Sequence, residues 1–414
     1  MIVPSIDLQG GQAVQLVGGE KKAIDAGDPL PIAERFALAG EIAVIDLDAA
    51  LRTGSNATLV EALVRRFACR VGGGIRDIDA AVRWLDLGAR QVILGTMAKP
   101  EILAKLPRER VIAALDAKNG EVVVEGWKEA TGRGILERVA ELKEHVSGFL
   151  VTFVEREGRL GGTNLELARE IVEAAGKDCR VTIAGGVTTA EEIRALDEIG
   201  ADAQVGMALY TGRLDLADAI MAPLSTDRPD GLYPTVVVDE RNVALGLVYS
   251  SRESIREAVR RRMGVYQSRS RGLWVKGESS GATQELLRID LDCDRDGARF
   301  VVRQKGPGFC HLDTHSCWGE AAGLTRLMRV LEARRADAPE GSYTARLFAD
   351  KALLAAKLRE EAEELTQATS REDVVWEAAD VLYFTLARLA REGIDLAEVE
   401  AHLDRRALKV TRRG

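Results

Sequence analysis

Gly73 to Thr96 reads GGIRDIDAAVRWLDLGARQVILGT, and 112 positions later Gly185 to Ala208 reads GGVTTAEEIRALDEIGADAQVGMA. Each copy opens on paired glycines, continues through a stretch with apolar residues at helical spacing, and ends in a short strand-like run. Asp7 and Asp116, each closing another apolar run, are separated by 109 residues. Two nearly equal offsets indicate a duplicated half, and strand–helix alternation at this period calls for parallel strands joined by crossover helices. The runs IVPSID, IAVIDLD, CRVGGG, QVILGT, VIAALDAK, GFLVTF, RVTIAGG and ADAQVG supply eight strands within residues 1–222. That number predicts a closed (β/α)8 TIM barrel rather than an open sheet, with functional groups at the strand ends.

Downstream the pattern changes twice. APLSTDRPDG, residues 222–231, has two prolines and no apolar periodicity, which predicts a linker. Residues 233–320 then carry TVVVD, GLVY, GVYQS, LLRIDLD and RFVVRQ, the mark of a small α+β domain. ARRADAPEGS, ending at Ser342, reads as a second linker, and residues 342–414 have apolar stripes at helical spacing, so the third domain is all-α.

Hydrophobic residues at 46% and charged residues at 29% suit several packed cores, so disorder is excluded. A net charge of -8, with no dense Lys/Arg stripe, disfavours a nucleic-acid partner. The sequence has no apolar run of membrane-spanning length, and MIVPSIDLQGG reads as strand and turn rather than a signal peptide, so no membrane association and a cytoplasmic location are expected. Cys69 and Cys179 stand alone in apolar segments as small buried hydrophobes, whereas Cys293, Cys310 and Cys317 cluster among carboxylates and histidines.

In the helical region Glu361 and Glu364 lie three apart on one helix, and Glu377 and Asp380 repeat the spacing on the next. Antiparallel helices would converge four carboxylates, an arrangement that suits Mg²⁺ gripping a polyphosphate, because hard cations prefer oxygen ligands. With SYTARL before it and EAADVLYF within it, the segment resembles phosphoribosyl-ATP pyrophosphohydrolase. The resemblance implies cleavage between the α and β phosphates.

In the middle region LDCDRDG and GPGFCHLDTHSC present three thiols suited to Zn²⁺, with a fourth position open. Asp292, Asp294 and Asp296 alternate at a strand end, so all three should point one way and could hold Mg²⁺. Upstream, YQSRSRGLWVKGESSG offers Arg269, Arg271 and Lys276 for phosphate. Together these stretches resemble phosphoribosyl-AMP cyclohydrolase, with a cysteine loop closer to that of fungal fusion enzymes. The resemblance implies hydrolytic opening of the adenine ring by zinc-activated water, with His311 as proton shuttle.

The barrel, through PSIDLQGGQAVQL, VGGGIRD, ALDAKNG with GWKEATG, and AGGV, resembles phosphoribosylformimino-aminoimidazole-carboxamide ribotide isomerase. That implies an Amadori rearrangement with Asp7 and Asp116 as acid and base, Arg76 and Thr152 facing substrate, and two phosphates bound at Gly73 and Gly74 with Gly95 and at Gly185 and Gly186 with Gly206. The chain departs from that family at Gln15, at Glu157 to Arg159 and at Met207. The leading expectation is a trifunctional enzyme of histidine biosynthesis acting on phosphoribosyl nucleotides, with Zn²⁺ and Mg²⁺ as cofactors. The alternative is a bifunctional hydrolase with a non-catalytic barrel scaffold. The two smaller families imply a homodimer.

Overall fold

A computed structural model describes residues 1–19, 21–118, 120–124, 129–270, 272–319 and 322–410. The chain packs as two compact units. One comprises Met1–Asp239, Leu247–Gly306 and Arg405–Gly414; the other comprises Glu240–Gly246 and Pro307–Asp404.

In the first unit the expected eight strands form a closed parallel barrel: β1 (Ile2–Gln9), β2 (Ile42–Asp46), β3 (Cys69–Gly72), β4 (Gln91–Leu94), β5 (Val111–Lys118), β6 (Gly148–Phe153), β7 (Arg180–Ala184) and β8 (Ala201–Val205). Neighbours pair in chain order, and β8 pairs with β1 to close the ring. Helix α1 (Ile78–Leu87) starts where the Asp77 carboxylate accepts from the Ala80 amide at 2.7 Å, and it stops at Gly88 in the left-handed region. Its repeat counterpart α2 (Ala190–Glu198) starts with a capping box between Thr189 and Glu192.

The duplication extends to a feature that composition does not reveal. β1 turns back as the antiparallel strand Gln12–Val17, pairing Asp7 with Val14, and β5 turns back as Glu121–Val124, pairing Asp116 with Val123. Each repeated aspartate therefore sits at the root of a hairpin that rises from the same barrel rim.

The barrel interior is apolar at mid-height, where Ile93, Ile112, Leu150 and Ala184 pack together with Ile45 and Ala114. Below them Arg70, only 2% exposed, donates to Thr182 Oγ1 at 3.0 Å and pairs with Glu41 at 2.7 Å. Arg70 and Thr182 are 112 residues apart, the offset of the repeat itself, so equivalent positions of the two halves meet at the barrel floor.

The α+β region forms a four-stranded sheet of β9 (Tyr233–Val238), β10 (Ala244–Ser250), β11 (Gln284–Leu291) and β12 (Ala298–Gln304), in the order β10-β9-β12-β11. Helix α3 (Arg252–Arg261) and the ribbon Val265–Ser268 with Gly272–Val275 accompany it. The aspartates expected on a strand lie in the turn after β11, because the strand ends at Leu291.

The all-α region holds α4 (Gly323–Ala336), α5 (Tyr343–Ala349), α6 (Lys351–Gln367), α7 (Arg371–Glu392) and α8 (Leu396–Ala407). The expected linker at ARRADAPEGS is partly helix: α4 runs through Ala336, because Met328 and Leu331 share a core with Leu347, Leu354, Phe384 and Leu386. Burial overrides the polar composition of its last turn. Among the described residues no helix is long and apolar enough to cross a membrane.

Gly73 has φ +90°, and a Cβ there would overlap the Asp46 carbonyl. Gly73→Ala should therefore lower barrel stability by at least about 1–3 kcal/mol. A guanidinium titration showing an unchanged midpoint would refute that account.

Candidate functional site

Three clusters of titratable groups emerge, one in each region. The barrel mouth is built by strand ends. Asp7 lies two residues before the end of β1, and Asp116 lies beside Thr152 in the β5–β6 register. The Asp7 side chain is half-buried, and removal of water from around its carboxyl raises its pKa to about 7. Glu157, just beyond the turn Val154–Arg156, is also raised to about 7, first by burial and then by the negative charges of Asp7 and Asp116. Three carboxylates thus act on one another in one mouth, and not all can ionise near neutrality.

Gln15 is buried and lies over this group, its Nε2 donating to the Val14 carbonyl at 2.9 Å and reaching Asp7 Oδ2 at 3.4 Å. The Tyr210 phenol lies close enough for the Asp7 charge, added to burial, to raise it above its ordinary range. Its hydroxyl has no hydrogen-bond partner among the described residues.

The two glycine-rich turns of the repeat have different surroundings. On one side Gly95, Thr96, Lys99, Asp116, Arg133 and Arg138 line a recess of about 490 Å³. On the other, Gly185, Gly186 and Gly206 face Glu157, Gly158 and Met207 around only about 40 Å³. Gly95 has open space where a Cβ would stand, as an anion cradle requires. Gly74 instead packs against Ala49, and Arg76 donates to the carbonyls of Ala49 at 2.8 Å and Ala50 at 3.1 Å, so both are engaged by the segment after β2.

In the helical region Glu361, Glu377 and Asp380 each offer a carboxylate oxygen within 4.8 Å of the others. Glu361 is buried and meets Lys357 Nζ at 3.4 Å. Glu364 is exposed and stands outside this trio, yet it neighbours Glu377, whose carboxyl is raised by burial and then by Glu364, Glu361 and Asp380. The repeated spacing did bring two helices together, with three of four carboxylates at the focus.

In the turn after β11, Asp292, Asp294 and Asp296 also gather within 4.8 Å. Backbone folding achieves this, not strand alternation: the Asp296 amide donates to Asp292 Oδ1 at 3.1 Å, and Arg295 takes φ 64°. Asp294 and then Asp292 raise Asp296.

Cys293 is exposed in the same turn, its Sγ 3.9 Å from Asp294 Oδ1. Cys310 and Cys317 share a loop of the second compact unit. There the Leu312 amide, Thr314 and Cys317 lower the Cys310 thiol, favouring thiolate. His311 is exposed, with Nδ1 3.8 Å from Cys310 Sγ. Arg269 lies over the Tyr249 ring at 5.2 Å, and Lys276 is buried beside Trp274. Arg271 falls outside the described residues.

Sequence reading missed Tyr210, Lys99, Arg133 and Arg138 as members of the mouth and its recess. Glu157 stood out only as a departure from a family pattern.

Family models match in three consecutive segments: histidine biosynthesis protein over residues 1–215, phosphoribosyl-AMP cyclohydrolase over 246–319 and phosphoribosyl-ATP pyrophosphohydrolase over 324–407. The chain is 41% identical over 348 residues to a histidine biosynthesis trifunctional protein of Komagataella pastoris, covering 81% of this chain and 37% of that one. It is 57% identical over 201 residues to a histidine biosynthesis bifunctional protein of Schizosaccharomyces pombe, covering 49% of this chain and 48% of that one. It is 35% identical over 233 residues to the 1-(5-phosphoribosyl)-5-((5-phosphoribosylamino)methylideneamino) imidazole-4-carboxamide isomerase of Methanocaldococcus jannaschii, covering 53% of this chain and 98% of that one. The chain thus spans less than half the length of these two fungal relatives.

The raised Asp7 has a thermodynamic signature. The folded chain holds that proton up to about pH 7, whereas the unfolded chain loses it near pH 4. Ionisation therefore opposes folding increasingly as pH rises through that window. Asp7→Asn should melt with the wild type near pH 4 and above it at pH 8. A difference in melting temperature independent of pH would contradict the assignment.

Proposed function

Because this chain belongs to the histidine biosynthesis protein family, we propose that it carries out three linked steps on phosphoribosyl nucleotides: release of pyrophosphate from phosphoribosyl-ATP, opening of the adenine ring of phosphoribosyl-AMP, and isomerisation of the ribotide produced. The observation that carries the reading is that each of the three matched regions holds its own cluster of titratable groups. We place this chemistry in the cytoplasm, on a homodimer.

Glu361, Glu377 and Asp380 fit a hard divalent cation, because three oxygens within 4.8 Å repel one another until a positive charge joins them. When bound, Mg²⁺ would polarise the phosphoryl oxygens that Glu361, Glu377 and Asp380, with Glu364 beside them, leave room to approach. Asp292, Asp294 and Asp296 fit the same class of ion by the same argument. Cys310 and Cys317, which share one loop, offer thiol donors suited to zinc, and zinc would lower the pKa of water for attack on the purine ring. His311, whose Nδ1 is 3.8 Å from Cys310 Sγ, would move the proton, and Arg269, Arg271 and Lys276 would supply positive charge for the phosphate.

In the barrel Asp7, which like Glu157 has its pKa raised to about 7, serves as the acid toward the ribose ring oxygen. Asp116, on the opposite half, takes the carbon-bound proton. Thr152 lies beside it in register, and Lys99, with Arg133 and Arg138 paired to Glu137 and Glu141, lines the larger recess that would take a phosphate.

One observation favours a second reading, in which the barrel is a scaffold for two hydrolases: the recess at Gly186 and Gly206 is about 40 Å³ and carries Glu157 where an anion would lie. Asp7→Asn and Asp116→Asn separate the two. Each should depress isomerisation by about two to four powers of ten; wild-type turnover no faster than that of the variants would leave the barrel a scaffold.

Glu361→Gln should abolish pyrophosphate release while sparing ring opening of supplied phosphoribosyl-AMP. Mass spectrometry of both products checks this. Joint loss of the activities in a folded variant would break the assignment of separate sites.

A further inference from the structure

The first turns of α7 leave a large aromatic ring in water. Trp376 is 71% exposed and Val375 is 63% exposed, although most large apolar side chains of this region are buried or half-buried. With Arg371, Glu372, Ala379 and Asp380 they line an open recess of about 490 Å³. Positions 372, 376 and 380 follow at four-residue intervals, with 371, 375 and 379 in the adjoining row, so the six residues form one helical face.

Asp380 belongs both to this face and to the carboxylate trio with Glu361 and Glu377. The recess therefore begins where the phosphates would be held. One helical turn, about 6 Å of rise, separates Trp376 from Asp380, roughly the span of a ribose between a phosphate and its base.

We propose that Trp376 is the stacking surface for the purine base of the nucleotide cleaved at Glu361, Glu377 and Asp380. The proposal rests on the pyrophosphohydrolase reading and adds the residue that holds the base. A planar indole offers its face to any purine and tolerates substitution at the base edge, which suits a nucleotide whose adenine already carries a second phosphoribosyl group. Arg371, one turn from Val375 on the same face, adds positive charge for that extra phosphate. The recess ends at Asp380 of the carboxylate trio, which favours the nucleotide over a second copy of the chain as its occupant.

The test uses the full-length protein with Mg²⁺. Trp376→Ala should raise KM for phosphoribosyl-ATP by about ten- to hundredfold with kcat changed only a few-fold, and Trp376→Phe should restore most of the loss. Independently of turnover, the α,β-methylene analogue of ATP should quench tryptophan fluorescence in the wild type and far less in Trp376→Phe, with circular dichroism confirming the fold of each variant. An unchanged KM in Trp376→Ala, with the wild type releasing pyrophosphate normally, would overturn the stacking role alone. So would a halved sedimentation mass at unchanged KM, which would assign the face to a second copy. A wild type that releases no pyrophosphate from phosphoribosyl-ATP would overturn both this proposal and the reading beneath it.

Discussion

The barrel is organised around a guanidinium with almost no water. Arg70 at its floor meets Thr182, Glu41 and, at 4.0 Å, Asp202, which also pairs with Arg180 and the Met1 amine. A charge so enclosed is tolerable only when its hydrogen-bond donors are satisfied, and loss of a partner would leave the remainder uncompensated. Above the network lies the apolar layer of Ile93, Ile112, Leu150 and Ala184. Asp7 and its neighbours stand above that layer, cut off from solvent on one side. The raised Asp7 pKa is thus a consequence of barrel construction and not of a single neighbour, since burial alone accounts for it.

Duplication and divergence then act at different depths. The floor pairs equivalent positions, the aspartates root equivalent hairpins, and both Gly73 and Gly185 take positive φ because carbonyls of the preceding strand ends lie against them. Only the rims differ. The segment after β6 folds toward Gly186, where Arg156 donates to the Gly162 carbonyl at 2.9 Å and Glu192 accepts from the Thr163 amide at 3.1 Å. That packing places Glu157 in the mouth and narrows one recess, while the opposite recess stays open. The loop after β6 therefore sets the electrostatics of one rim within a frame that both halves share.

Periodicity made the frame legible. Eight apolar runs, the offset of 112 and the paired carboxylates of α6 and α7 all depend on local spacing, which sequence displays directly. What was not legible depends on tertiary packing. The helical region begins earlier than its apolar stripes predict, because α4 is held by Met328 and Leu331 against residues that follow it in the chain. The three middle aspartates gather through a turn that no alternation rule describes. The thiols of the second region are close in sequence, yet Cys293 belongs to one compact unit and Cys310 and Cys317 to the other, a division that linear spacing does not encode. Glu157 could be flagged as unusual, but its influence on Asp7 and Asp116 emerges only once the loop is folded.

Carboxylates gather at both sites in different surroundings. At Asp7 and Glu157 the loss of water around each carboxyl raises it to about 7, so either can give or take a proton at neutral pH. Glu377 and Asp380 lie half-buried beside exposed Glu364, each with an oxygen within 4.8 Å of the others and of Glu361. In the proposed site a cation would supply the positive charge, with the oxygens as its ligands. The proposed proton transfer in the barrel draws on those raised carboxyls, and the proposed phosphate chemistry in the helices on the oxygens of the trio. In the barrel, Gln15 matters more than its neutrality suggests. A cation at that position, 3.4 Å from Asp7, would favour the ionised carboxyl, whereas the amide leaves its proton in place.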